Sequence, residues 1–222
     1  MKLCHDDPWL IADLGAPLRV LSWSLTHPGF ATARRVAFRQ VRDADLPEGR
    51  DVGGWLAAET RAAGLGDAPV LLTSRRLGAY RLCHARAEET EAACLATVGL
   101  SNAERAGHRR ALPAPAPGRG TINLLVRVSD GLSEAAQIEA LSIAAEARTA
   151  AVMETGPLLP AGRATGTGTD CIALAAPAGG AAYAGLHTAI GEAVGRAVYD
   201  AVLAGAREWM AARPDLAPGA RS

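Results

Sequence analysis

The segment from Thr121 to Ser129 alternates well, with Ile122, Leu124, Val126 and Val128 on one side and Thr121, Asn123, Leu125 and Arg127 on the other. A period of two over that length is satisfied only by a strand with two distinct faces. Asp130-Gly131 then turns the chain, and Ser133 is placed to cap a helix that carries Glu134 in its first turn. That helix is expected to run to about Glu154, burying Ile138, Leu141, Ala145 and Val152, and to stop at Gly156-Pro157. An apolar run from Cys171 to Ala176 reads as a buried strand, Pro177 to Gly180 as a turn, and Ala184 to Ala211 as a last helix. Its expected stripe is Leu186, Ile190, Val194 and Val198, with Gly191 and Gly195 allowing close approach of another element. Strand, helix, strand, helix in that order commits the C-terminal half to a sheet covered by helices.

The N-terminal half is richer in strands. Leu18–Leu25 and Arg35–Val41 read as strands joined through the His27-Pro28-Gly29 turn. Asp51 is a candidate N-cap for a helix through Trp55, Leu56 and Thr60 that ends near Gly64 or Gly66. Val70–Thr73 is a short buried strand; Ala79–Ala87 and Ala93–Leu100 are two more, separated by the acidic turn Glu88–Glu91 and expected to pair antiparallel. Ser101 to Gly120 breaks the pattern, with His108-Arg109-Arg110 and Pro113, Pro115 and Pro117 forming an exposed, stiff loop. Residues 1–16 and 212–222 are expected to be irregular around an ordered core at 17–211, Pro8 and Pro17 acting as breakers. The fold class is α+β: a mixed, largely antiparallel sheet covered by helices, in one domain over residues 1–222.

Composition narrows the partners. Lys and Arg number 23 and Asp and Glu 23, so no charge excess draws the chain to nucleic acid or to an anionic membrane. No apolar run reaches the length of a membrane span and the N-terminus lacks a signal pattern, so a cytoplasmic protein is expected, with a homo-oligomer left open. Cys4-His5 and Cys83-His84 have no second half at zinc-site spacing, so the four cysteines read as reduced thiols and no metal site is expected.

Chemistry concentrates in Ala164-Thr165-Gly166-Thr167-Gly168-Thr169-Asp170. Glycines let backbone N–H groups approach a ligand, threonines add hydroxyls, and an acid closes the run. The candidates are Asn123, Glu146, Thr165, Thr167, Thr169, Asp170 and His187. Asp170, His187 and Glu146 are the catalytic candidates, because such side chains move protons in hydrolysis, while Asn, Thr and backbone N–H groups hold an oxyanion. His187 is expected in the first turn of the last helix, where the macrodipole favours a neutral ring. Each has a structural alternative: Asn123 bonded to a neighbouring strand, Glu146 paired with an arginine, His187 solvated at a helix start, and the Thr/Gly run a plain turn into a strand. No GxSxG elbow, HExxH or P-loop is present.

Five stretches in order carry a resemblance: Ser101-Asn102-Ala103-Glu104-Arg105-Ala106-Gly107, Gly120-Thr121-Ile122-Asn123, Ala145-Glu146-Ala147-Arg148-Thr149, Ala164 to Asp170, and Tyr183 to Glu192. Together they resemble the adenosylcobinamide amidohydrolase family of corrinoid-salvage enzymes, closely over about 93–204 and more loosely from Leu18 onward. The resemblance implies hydrolysis of the aminopropanol amide of adenosylcobinamide, or of a related cobamide such as pseudocobalamin, to adenosylcobyric acid. It adds Ser101, Asn102, Arg105, Thr121 and Gly168 to Asn123, Thr165, Thr167 and Thr169 as substrate-binding candidates. It calls for no cofactor, since the substrate itself carries cobalt. Arg148 stands where the family pattern has Lys and Ala145 where it has Thr, and Leu21-Ser22-Trp23-Ser24 lacks the Ser-Ser and Gly-Gly pattern of many members. Arg148 keeps the charge, so a salt bridge or anion contact is retained while a lysine-specific catalytic role is not; the Leu21–Ser24 departure bears on substrate preference rather than reaction type. A corrinoid-binding protein without catalysis is the alternative, and a nucleotide binder is disfavoured because the Gly-rich run enters a strand rather than a helix.

Overall fold

The computed structural model describes residues 1–108 and 120–213. Its elements in chain order are β1 (Lys2–Asp6), β2 (Trp9–Ser22), β3 (Gly29–Gln40), α1 (Val52–Ala62), β4 (Val70–Thr73), β5 (Arg81–Ala87), β6 (Thr90–Val98), β7 (Ala103–Glu104) and β8 (Ile122–Val128). They continue with α2 (Glu134–Thr155), β9 (Leu158–Leu159), β10 (Gly162–Arg163), β11 (Gly166–Thr167), β12 (Cys171–Ala176) and α3 (Ala189–Ala211). The main sheet has the order β4-β3-β2-β12-β8-β6-β5, with β1 paired to β2. β12 runs parallel to β8 and β3 parallel to β4; the other pairs in this sheet are antiparallel. The mixed, mostly antiparallel α+β architecture read from the sequence is the one observed.

The alternation of β8 explains how the layers form. Ile122, Leu124, Val126 and Val128 join the core beneath α2 and α3, together with Ile172 and Leu174 of β12 and Cys94 and Val98 of β6. Leu125, Leu95 and Ala173 point to the opposite face, where Leu10, Phe38 and Leu71 cover them. The N-terminal strands therefore curl over the face that the long helices leave open. α1 packs outside them through Leu56 against Ala37 and Val70. Curling brings β4 over β8, where Asn123 Nδ2 donates to the Leu72 carbonyl at 2.6 Å. The caps expected at Asp51 and Ser133 form, accepting from Gly54 N and Ala136 N at 3.1 Å each.

Several expectations are corrected. Residues 1–16 are not irregular: they form β1 and the first part of β2, and Leu10, Ala12 and Leu14 are core residues. Pro8 lies in the turn between β1 and β2, and Pro17 lies where the β2–β3 register shifts between Asp13 and Leu18. A proline at a bulge forfeits no ladder bond, so neither ends the strand. Thr90 and Glu91 belong to β6 rather than to a turn. In α2 the buried positions are Ala136, Gln137, Ala140, Ile143, Ala144, Ala151 and Val152, whereas Ile138 is exposed. Small residues win that face because α2 packs closely on α3, as where Ile143 meets Gly195. The last helix starts at Ala189, capped by Thr188 Oγ1 on Gly191 N at 3.0 Å, which leaves Leu186 and His187 in an exposed turn before it. The Arg109-Arg110 and proline-rich part of the 101–120 loop, and the tail from Pro214, lie outside the described residues.

Candidate functional site

The Thr/Gly run is held open as a shaped loop by backbone pairing. Its Gly166-Thr167 segment, β11, pairs antiparallel with β7, so two stretches far apart in sequence form one rim. Thr165 N donates to the Glu104 carbonyl at 2.9 Å, Ala106 N to Thr165 Oγ1 at 2.8 Å, and Gly168 N to the Asn102 carbonyl at 3.0 Å. Arg105 donates to the Arg163 carbonyl at 2.8 Å. At the next strand start, Gly120 N donates to Ser101 Oγ at 2.5 Å. A Cβ on Gly120 would lie 2.7 Å from the Gly99 carbonyl carbon, so only glycine permits the two backbones to touch there.

Asp170 is the centre of this arrangement. Its Oδ1 accepts from Ile122 N at 3.0 Å and from the Thr167 hydroxyl; its Oδ2 accepts from Thr167 N at 2.9 Å and from the Arg148 guanidinium. The Asp170 and Arg148 side chains are 8% and 17% exposed, so this is a buried ion pair. Burial pulls the Arg148 pKa below the ordinary guanidinium value. Gly166 leaves room for the pair, because a Cβ there would stand 2.6 Å from Asp170 Oδ2. Thr121 Oγ1 lies 3.3 Å from Thr167 Oγ1, extending the contacts into a chain of hydroxyls that ends on the carboxylate. Trp23 closes one side by donating its indole N–H to the Asp170 carbonyl at 2.8 Å.

Thr121, Asn123, Gly168, Thr169 and Asp170 line a cavity of about 470 Å³ whose walls include Trp23, Leu25, Val70 and Leu72. Asn123 is buried, and while its Nδ2 holds Leu72, its Oδ1 has no protein partner among the described residues. Cys171 also faces the cavity. Burial pushes its thiol up to about 11, so it is protonated near neutrality and is not a ready nucleophile. A second, polar cleft of about 930 Å³ adjoins the first, Ser74 lining both and Gly120 lying next to Thr121.

The candidate residues thus divide. Thr121, Asn123, Gly168, Thr169 and Asp170 come together on the cavity, and Ser101 lines the neighbouring cleft. Asn102, Arg105, Thr165 and Thr167 hold the loop's shape. Glu146 and His187 do not join them. Glu146 is exposed on α2 two residues before Arg148, and two helical steps turn a side chain roughly 200° away. His187 follows the C-terminal end of β12, where Ala178 and Ala181 bridge to Leu132, while Asp170 precedes that strand's N-terminal end. The Thr/Gly loop and the Gly120–Asn123 strand start therefore meet on one concavity, and the turn that precedes the last helix does not reach it. Sequence reading passed over Trp23 as a wall and did not place Arg148 on Asp170. The retained charge in the Ala145–Thr149 stretch was the available signal.

The chain is thus a curled α+β scaffold with a hydroxyl-lined, charge-anchored floor under a largely apolar cavity of about 470 Å³. The sequence model of the adenosylcobinamide amidohydrolase family matches residues 2–214, and the chain belongs to that family. An adenosylcobinamide amidohydrolase of Halobacterium salinarum is 34% identical to it over 162 residues, which make up 67% of this chain and 63% of that protein.

Proposed function

We propose that this protein hydrolyses the aminopropanol amide of adenosylcobinamide, releasing adenosylcobyric acid and 1-amino-2-propanol, without ATP. Family membership supports the reaction class, and the name of the Halobacterium relative supports the substrate. The observation that carries the reading is the hydroxyl chain from Thr121 through Thr167 to Asp170 at the floor of the cavity. Amide hydrolysis needs a proton acceptor for the attacking water, donors for the oxyanion and a proton for the departing amine. Asp170 is the one carboxylate among the described residues lining that cavity, but four donors already engage its oxygens. In the proposed mechanism the water passes its proton to Thr121 Oγ1 as the Thr121 proton moves to Thr167 and that of Thr167 to Asp170. The same chain returns a proton to the amine. The open Oδ1 of Asn123 accepts from a substrate amide N–H, and Thr169 contacts the substrate beside it.

The wall formed by Trp23 and Ser24 belongs to the segment in which this chain departs from the family pattern. Discrimination by bulk between adenosylcobinamide and complete cobamides such as pseudocobalamin is therefore assigned to that wall. The reading places the protein in cytoplasmic corrinoid salvage or, with complete cobamides, in lower-ligand remodelling. The saturation of Asp170 favours one other reading, a corrinoid-binding protein without turnover. Incubating the pure protein with adenosylcobinamide and looking for adenosylcobyric acid by mass spectrometry separates the two. Binding without product would overturn the hydrolase.

A further inference from the structure

The polar cleft beyond Ser74 is dominated by arginines: Arg42, Arg75, Arg76, Arg81 and Arg213 line it. Its acids do not balance them. Glu208 is shared between Arg75, at 2.8 Å, and Arg81, while Asp7 bonds His5 at 2.9 Å. Arg42 and Arg76 enter no ion pair among the described residues, and the exposed Arg213 places its guanidinium over the Trp209 ring, 5.6 Å from its centroid. Arg75 registers the surplus: its pKa is lowered first by burial and then by the charges of Arg81, Arg76 and Arg213, and its buried Nε has no partner among the described residues. Like charges gathered in a concavity are costly unless an anion joins them. Planar guanidinium groups suit a tetrahedral phosphate through paired N–H donors.

We propose that this cleft is a phosphate-ester subsite. Arg42, Arg76 and Arg213 read an anionic group on the substrate's leaving arm, and Arg75 and Arg81, fixed by Glu208, form its back. The inference rests on the amidohydrolase reading. In 1-amino-2-propanol the hydroxyl sits on the carbon next to the one bearing nitrogen, so a phosphate there lies within a few ångströms of the scissile amide. The cleft meets the cavity floor at Ser74 and at Gly120–Thr121, which is where such a group would fall. A phosphate monoester on the arm and the phosphodiester of a complete cobamide share this chemistry.

The test compares wild type, the double variant R42A/R76A and the control R34A, whose arginine faces Asp13 on β2. For each, kcat/KM is measured on adenosylcobinamide, adenosylcobinamide phosphate and adenosylpseudocobalamin. The expected result is a fall of about tenfold to a hundredfold in the phosphorylated-over-unphosphorylated ratio for R42A/R76A alone, the loss of charge-assisted hydrogen bonds. A fall confined to the monoester assigns the subsite to a terminal phosphate, and one that includes adenosylpseudocobalamin assigns it to phosphodiesters as well. An unchanged ratio, or an equal fall in R34A, overturns the proposal. If wild type cleaves none of the three, the hydrolase reading fails by itself. The same ratio is then read from dissociation constants by equilibrium dialysis, where an unchanged value overturns the subsite.

Discussion

Asp170 and Arg148 make each other's burial tolerable, and substitutions there test folding before they test catalysis. Asp170→Asn leaves the buried Arg148 charge without its counter-ion, a change that typically costs about 3–5 kcal/mol. A loss of that size in the unfolding free energy from urea titration is expected along with lost turnover, so this variant cannot isolate the chemistry. Thr121→Val and Thr167→Val interrupt the hydroxyl chain while keeping shape. Each is expected to lose about a hundredfold or more in kcat, with corrinoid affinity retained, when turnover is measured beside equilibrium binding. If both keep near-wild-type kcat, the proton route through them is wrong. Glu146→Gln and His187→Ala, at residues that face away from the cavity, are expected to stay within about twofold of wild type, since surface changes away from structural features have small effects. Cys171 sets an alkaline limit on stability. Between its ordinary value of 9.0 and the raised value of about 11, the unfolded thiol ionises while the folded one keeps its proton, so stability falls as pH rises through that window. Thermal unfolding across pH 8 to 11 should show a shallower decline in Cys171→Ala than in wild type. Some slope should remain, because burial raises the Cys94 thiol as well.

At the scale of elements, what the sequence revealed followed from local rules, and what it concealed depended on distant partners. The alternation in β8, the caps at Asp51 and Ser133 and the run at β12 are self-contained signals, and each element is present. β1 and the first part of β2 were hidden because prolines in a turn and at a bulge look the same in sequence as prolines that break strands. The face of α2 was misjudged at Ile138 because packing against α3, not side-chain hydrophobicity, decides which positions are buried. The loop was legible as a site by composition, but its pairing with β7 could not be seen in either segment alone. Glycines divide in the same way. Gly120→Ala would press a methyl group onto the Gly99 backbone, and a loss of about 1–3 kcal/mol is expected in chemical denaturation. Gly180→Ala has open space around it and should be close to neutral.

Over the whole molecule, the N-terminal strands are part of the core and part of the site. Leu10 and Phe38 cover the face opposite the helices, and Trp23 and Leu72 wall the cavity. A chain beginning at residue 17, the start of the core expected from sequence, is therefore predicted to lose cooperative unfolding and native circular dichroism; retention of both would show that the curl over β8 is dispensable. The site also lies at one particular end of the sheet. β8 and β12 begin there, and the crossover helix α2 and the final helix α3 both finish toward it, with Arg148 late in α2 and Glu208 and Trp209 late in α3. Where many sheet proteins present helix N-termini to a bound anion, this rim presents the negative ends of its two long helices. The backbone field there works against negative charge, and attraction has to come from side chains alone. Charge preference at this rim is thus written in replaceable residues, and single arginine substitutions could retune which ligands are accepted while the scaffold stays as it is.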